Sequence, residues 1–202
     1  YYGGHFTYNG KAYPMGQHGF ARDTEFEQIA AGEDFVTYRL CADEESKKKY
    51  PFDFVLEITH RLENNRLSVE WNVKNVDDKE MYFTIGGHPA FNVNILPDTD
   101  FEDYSLVFKE GIETLSYILI DAENGTALTD KTYKLELTNS KYALKKDMFD
   151  KDALIFDNGQ IEWVGLALPN GKPYIALESK GFPSFGIWSK PGAPYVCLEP
   201  WC

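Results

Sequence analysis

Two side chains in this 202-residue sequence combine a chemistry and a setting suited to proton transfer. His88 lies in Ile85-Gly86-Gly87-His88-Pro89-Ala90-Phe91-Asn92. Imidazole titrates near pH 6.5, so it gives or takes a proton at neutral pH. A strand-like segment, Met81 to Ile85, runs into it. Two glycines relieve the backbone of Cβ restrictions and Pro89 sets the turn beyond. Glu199 lies in Tyr195-Val196-Cys197-Leu198-Glu199-Pro200-Trp201. A carboxylate in an otherwise apolar strand must be paired, protonated or used, because burying a bare charge is costly. Trp201 beside it offers a surface for the apolar face of a sugar. Local sequence alone also allows a Gly-Pro turn with an incidental histidine, and an edge-strand glutamate facing water.

Three further places carry polar groups in exposed-looking contexts. Pro14-Met15-Gly16-Gln17-His18-Gly19-Phe20-Ala21-Arg22-Asp23 reads either as a loop presenting Gln17, His18 and Arg22 to a ligand or as a connector. Asp152 reads as a ligand-facing acid or as a turn residue. Glu178 alternates with Ile175 and Leu177 and reads as solvent-facing, and His60 shares the apolar face of its strand. No GxSxG, phosphate-binding loop or dinucleotide fingerprint occurs. The four histidines have no HExxH or paired-cysteine spacing, so no metal site is expected, although acidic loops leave Ca²⁺ open.

The elements that must position these groups are short strands. Phe6–Tyr8 and Lys11–Tyr13 flank Asn9-Gly10, a type I′ hairpin dipeptide. Phe35–Cys41 alternates, and a charged loop, Asp43 to Lys49, follows. The clearest hairpin puts Phe52, Phe54, Leu56, Ile58, His60 and Leu62 on one face. Asn64-Asn65 turns the chain, and Leu67, Val69, Trp71 and Val73 return as a half-buried pair. Further strands are expected at Tyr104–Phe108, Thr132–Leu137, Ile161–Leu168, Tyr174–Ser179, Phe185–Ser189 and Tyr195–Leu198, Asp150–Phe156 leads into another strand, and Lys141–Phe149 is the one helix candidate. Many short strands with Gly/Pro turns and no internal repeat give an all-β antiparallel sandwich in one domain, 1–202.

Composition narrows the partners. The formal net charge of −12 argues against nucleic acid and anionic membrane, whose phosphates need Lys and Arg. Three cysteines without disulfide or metal spacing suit a reducing, cytoplasmic setting. No apolar run reaches the length of a membrane span. The sequence opens without Met and stops inside an apolar run, so it reads as a piece of a longer chain.

In order, Gln17-His18-Gly19-Phe20-Ala21-Arg22, Gly87-His88-Pro89-Ala90-Phe91-Asn92, Asp152-Ala153-Leu154-Ile155-Phe156, Gly186-Ile187-Trp188-Ser189-Lys190-Pro191-Gly192 and Leu198-Glu199-Pro200-Trp201-Cys202 resemble aldose 1-epimerase-like proteins, most closely the LacX-type branch related to galactose mutarotase. The resemblance covers essentially the whole chain. It implies a galactose mutarotase-like β-supersandwich, lacking opening strands (with an upstream active-site Arg) and a closing strand or two. It implies that His88 is the general acid and Glu199 the general base, meeting across one pyranose. His18, Arg22 and Gln17 would belong to a sugar-contacting loop, and Asp152 would bind a hydroxyl. The implied reaction interconverts α and β anomers of a hexose or hexose phosphate without metal or organic cofactor, in a monomer or homodimer. The same cleft used only to bind carbohydrate is the alternative. One departure stands out: free-sugar mutarotases carry a different His-bearing loop from Gln17–Arg22, which also resembles that of hexose-6-phosphate mutarotases. A glycosidase would need two acids facing each other at about 5–10 Å, and the sequence pairs Glu199 with a histidine instead.

Overall fold

The computed structural model describes residues 2–121 and 123–202. The chain forms two compact units, Tyr1–Phe83 and Thr84–Cys202. All strand pairings are antiparallel. Among the described residues no helix is long and apolar enough to cross a membrane.

The first unit opens with the hairpin β1 (His5–Tyr8) and β2 (Lys11–Pro14). Its turn has positive φ at both Asn9 (49°) and Gly10 (75°), as a type I′ turn requires. A four-stranded sheet follows in sequential order: β3 (Glu27–Ala31), β4 (Phe35–Cys41), β5 (Phe54–Glu63) and β6 (Arg66–Asn75). The β5–β6 register pairs Leu56 with Val73, Ile58 with Trp71, His60 with Val69 and Leu62 with Leu67, so the expected apolar stripe is continuous. It is covered at only one end. Phe54 and Leu56 are buried, whereas Leu62 and Leu67 near the turn are mostly exposed. The half-buried expectation therefore fails at the hairpin tip. His60 sits half-buried at the rim, its ring edge-on to Tyr38. Phe52, Tyr50 and Tyr8 build an aromatic cluster in this unit, with ring centroids 4.8 Å apart for Tyr8–Phe52 and Tyr50–Phe52.

The charged stretch expected as a loop is a short helix, α1 (Glu44–Lys49). The Ser46 N–H donates to Asp43 Oδ1 at 2.7 Å, and the Asp43 N–H donates to Ser46 Oγ at 2.8 Å. This capping box satisfies two orphan donors, while acids in the first turn and lysines in the last complement the helix dipole. A charge run read only as solvated surface hides this local grammar.

The second unit holds two sheets. One runs β10 (Thr126–Glu136), β9 (Thr114–Asp121), β12 (Leu154–Phe156), β15 (Ser184–Trp188), β16 (Tyr195–Trp201), β7 (Ala90–Asn92). The other runs β11 (Lys141–Ala143), β8 (Ser105–Phe108), β13 (Trp163–Ala167), β14 (Pro173–Glu178). One hydrophobic cluster draws on both, including Leu106, Val164 and Leu166 from one sheet and Ile187, Val196 and Leu198 from the other, all six fully buried. Each such side chain contributes roughly 1.5–3 kcal/mol by leaving water.

The helix expected over Lys141–Phe149 is absent. Tyr142 pairs with Leu106 across β11–β8, the Leu144 N–H bonds to Tyr104 O, and Leu144 and Phe149 are buried. Tertiary pairing and burial override a weak helical propensity. Strand β9 lies outside the strands expected from the sequence.

Candidate active site

The site is built on three neighbouring strand segments of the second unit. Gly86 bridges Trp201, and Ala90 pairs with Cys197. Two residues inward from either end of this shared register, His88 stands opposite Glu199. The backbone bonds identify the kind of pair. Ile85 and Cys202 exchange both N–H···O bonds, Gly87 N–H donates to Pro200 O, and Leu198 N–H donates to Pro89 O. The ladder rungs are therefore at 85, 87 and 89, and His88–Glu199 is a non-hydrogen-bonded pair. Such pairs bring Cα atoms to about 4.5 Å and their side chains closest together. Nδ1 of His88 lies 3.4 Å from Oε1 of Glu199. That contact leaves no room for a pyranose between the two groups, so the expected meeting across a sugar becomes a pair presented side by side.

The segment Met81–Ile85 expected as a strand is not one. Further along, between Gly87 and Pro89, the ladder is thinned because Pro89 and Pro200 lack N–H groups, so the rungs Gly87–Pro200 and Leu198–Pro89 each carry one bond. The glycines also act differently from the expectation. Neither Gly86 nor Gly87 has positive φ. A Cβ on Gly86 would meet Trp201 Cδ1 at 2.8 Å and Pro200 O at 3.0 Å. On the other side, β15 pairs Gly186 with Glu199, and a Cβ on Gly186 would stand 2.6 Å from Trp201 Cζ2. Two hydrogen atoms where side chains would be let the indole lie down beside Glu199.

Glu199 is 6% exposed. Burial pushes its pKa up to about 7; a hydrogen bond with the Trp201 side chain pulls the other way, and the charge of Asp152 adds to the rise. A carboxyl poised near neutrality accepts a proton efficiently at neutral pH. The His88 side chain is 41% exposed, its ring edge-on to Trp188 at 6.2 Å. Cys197, two residues before Glu199 on the same face, is buried, and burial with the Glu199 charge pushes its thiol up to about 12.

Asp152 is a turn residue, as one reading had it, at φ 73° with its carboxylate accepting the Ala153 N–H at 2.7 Å. It also lies near enough to act on Glu199. The structure thus brings His88, Glu199 and Asp152 together. Gln17, His18 and Arg22 belong to the first unit. Gln17 and His18 lie in an exposed turn, His18 at φ 67°. Arg22 follows in an exposed single turn, Ala21–Asp23, where its Nε and Nη2 donate to the two carboxylate oxygens of Asp23 at 3.1 and 3.0 Å. Cys197 and Gly186 were not singled out from sequence as neighbours of the pair. The period-two run Cys197, Glu199, Trp201 was the available signal. A separate concavity of about 390 Å³ in the same unit, lined among others by Tyr117, Tyr133 and Tyr142, includes neither His88 nor Glu199.

Residues 3–198 match the sequence profile of the aldose 1-epimerase family. The chain belongs to the aldose 1-epimerase family. It is 31% identical over 188 residues to the plasmid-encoded protein LacX of Lactococcus lactis subsp. lactis, a match covering 92% of this chain and 62% of that protein. A galactose mutarotase related enzyme from Lactobacillus acidophilus superposes with TM-score 0.89 at 33% identity, over 98% of this chain and 66% of that one. A galactose mutarotase-like protein from Lactobacillus casei gives TM-score 0.82, also at 33% identity, over 98% and 68%. This chain therefore spans about three fifths of LacX. The all-β, antiparallel architecture is that of the galactose mutarotase-like members of the family.

Proposed function

We propose that this member of the aldose 1-epimerase family interconverts the α and β anomers of a hexose. The observation that carries the reading is the cross-strand contact of His88 with a buried Glu199 held near neutrality. Glu199 takes the proton of the C1 hydroxyl while His88 protonates the ring oxygen. The C1–O5 bond breaks to give the open-chain aldehyde, C1 rotates about C1–C2, and closure from its other face returns both protons. O1 and O5 are both bonded to C1, so an acid and a base standing side by side suit them better than two groups on opposite sides of the ring. With Nδ1 turned toward Glu199, Nε2 of His88 is the atom for O5. Asp152 raises the basicity of Glu199 through its charge. Each proton transfer supplies typically about 10²–10⁴-fold when the groups are within hydrogen-bond reach.

The family resemblance gives Gln17, His18 and Arg22 of the first unit the role of sugar contacts, whereas the proton transfers proposed here use residues of the second unit alone. The test is polarimetry on the full-length protein with fresh α-galactose and α-glucose, and with the 6-phosphates of both. Faster decay of optical rotation than in buffer is the expected result. Saturable sugar binding without acceleration would make the same residues a carbohydrate-recognition site, and neither binding nor acceleration with any of the four sugars would end the reading.

A further inference from the structure

Beyond the acid–base pair, the same sheet face carries a third donor. The Sγ of Cys197, a ring nitrogen of His88 and a carboxylate oxygen of Glu199 all lie within 4.8 Å of one another. No sequence spacing announces this trio, because its members come from two strands brought together by pairing: Cys197 and Glu199 alternate on β16, and His88 faces Glu199 from the segment leading into β7.

We propose that His88, Cys197 and Glu199 form a binding site for a divalent transition-metal ion of the zinc class, and that the bound ion switches off sugar turnover. The blocking part rests on the function proposed above; the metal site itself does not.

The donor set selects the ion. A thiolate with an imidazole and a carboxylate suits Zn²⁺ and its soft or borderline relatives, whereas Mg²⁺ and Ca²⁺ take oxygen ligands. Zinc holds sulfur at about 2.3 Å and nitrogen or oxygen at about 2.0–2.2 Å, so tetrahedral ligand atoms stand roughly 3–4 Å apart. The His88–Glu199 contact, 3.4 Å, already meets that spacing. The third donor, Sγ of Cys197, lies within 4.8 Å of both. The ion has a way in, since the His88 side chain is 41% exposed and the residue paired with Cys197 on β7 is the small Ala90. Trp188, paired with Cys197 on β15, closes the other side. Three protein ligands leave a fourth position for water. Binding replaces the thiol proton, which passes to solvent, and no electron is transferred. Nδ1 of His88 and the Glu199 carboxylate then serve the ion and no longer exchange protons with a sugar.

Co²⁺, which takes the same ligands and absorbs light, is the probe. The protein carries Cys41→Ser and Cys202→Ser throughout, so that Cys197 is the one remaining thiol. Titration with Co²⁺ should produce a thiolate-to-cobalt charge-transfer band saturating at one ion per chain, and Zn²⁺ should abolish it by displacement. The band should be lost in Cys197→Ser and also in His88→Ala, whose half-exposed position spares the core. Zn²⁺ should halt mutarotation, a chelator should restore it, and Cys197→Ser should retain turnover that Zn²⁺ no longer halts. Absence of the band, or its persistence in either variant, overturns the site. A band with turnover untouched by Zn²⁺ overturns the switch. A protein without mutarotase activity that still shows the band contradicts the proposed function and leaves the metal site standing.

Discussion

His88 and Glu199 are direct cross-strand partners in a non-hydrogen-bonded position, flanked on either side by rungs from which a proline has removed one hydrogen bond. The pairing brings an acid and a base together without a loop to hold them. Sheet geometry sets the distance between their backbones, and the contact follows from register alone.

If the two share the chemistry, neither can be spared. His88→Asn and Glu199→Gln preserve shape while removing the proton donor and acceptor. Each is expected to lower the mutarotation rate by about 10²–10⁴-fold, with circular dichroism unchanged. Polarimetry of the purified variants checks this, and a rate within a few-fold of the parent would move the chemistry to other residues.

If Glu199 is the base of the proposed mutarotation, the acid limb of the pH–rate profile reports it. A base must be ionised, and this one is pushed up to about 7 by burial. Activity is therefore expected to fall tenfold per pH unit below about 7, well above the range of an ordinary glutamate. Initial rates between pH 5 and 8 would show it; an acid limb near pH 4.5 would contradict it.

The same burial has a cost in stability. Glu199 binds its proton more tightly folded than unfolded, so its stabilising contribution is present below the ordinary glutamate range and is lost as pH rises toward about 7. At pH 8 the ionised, buried carboxylate costs roughly 3 kcal/mol relative to a group with no such shift. Glu199→Gln is expected to melt at a higher temperature than the parent at pH 8 and to lose that advantage at pH 4. Thermal denaturation at the two pH values measures it.

Gly186 and Gly86 make room for Trp201. Gly186→Ala puts a methyl 2.6 Å from Cζ2 of the indole, which must move. The expected cost is about 1–3 kcal/mol, with a shifted tryptophan emission and reduced turnover. Trp201→Phe removes the indole N–H together with part of the ring. Loss of the indole N–H removes an interaction that lowers the Glu199 pKa, so the acid limb should move to higher pH. An unmoved limb would show that Trp201 only packs.

Asp43 caps α1, and Asp43→Ala should cost about 0.5–2 kcal/mol in chemical denaturation without touching sugar turnover.

Much of this was legible before any coordinates. The Asn9-Gly10 turn and the β5–β6 hairpin with its Asn64-Asn65 turn follow from turn dipeptides and period-two alternation, and the strands near Phe185 and Tyr195 from short apolar runs set between Gly/Pro turns. The family follows from five ordered motifs. Where reading failed, a non-local term won. Lys141–Phe149 gave up a helix to pair with β8 and bury Leu144, and β9, although the Asn124-Gly125 turn signal follows it, carries apolar residues on both faces and so shows no strict alternation. The α1 capping box was local and readable, and was masked by the charge run around it.

The sequence by itself determined the alternation that puts Cys197, Glu199 and Trp201 on one face, and the prolines and glycines that thin the ladder beside them, because side-chain period and missing N–H groups are properties of the chain. Only the tertiary structure decided that His88 stands opposite Glu199, that Gly86 and Gly186 flank one indole, and that a thiol completes a three-donor cluster. Register between segments more than a hundred residues apart is set by which faces bury together, and no local rule carries that information.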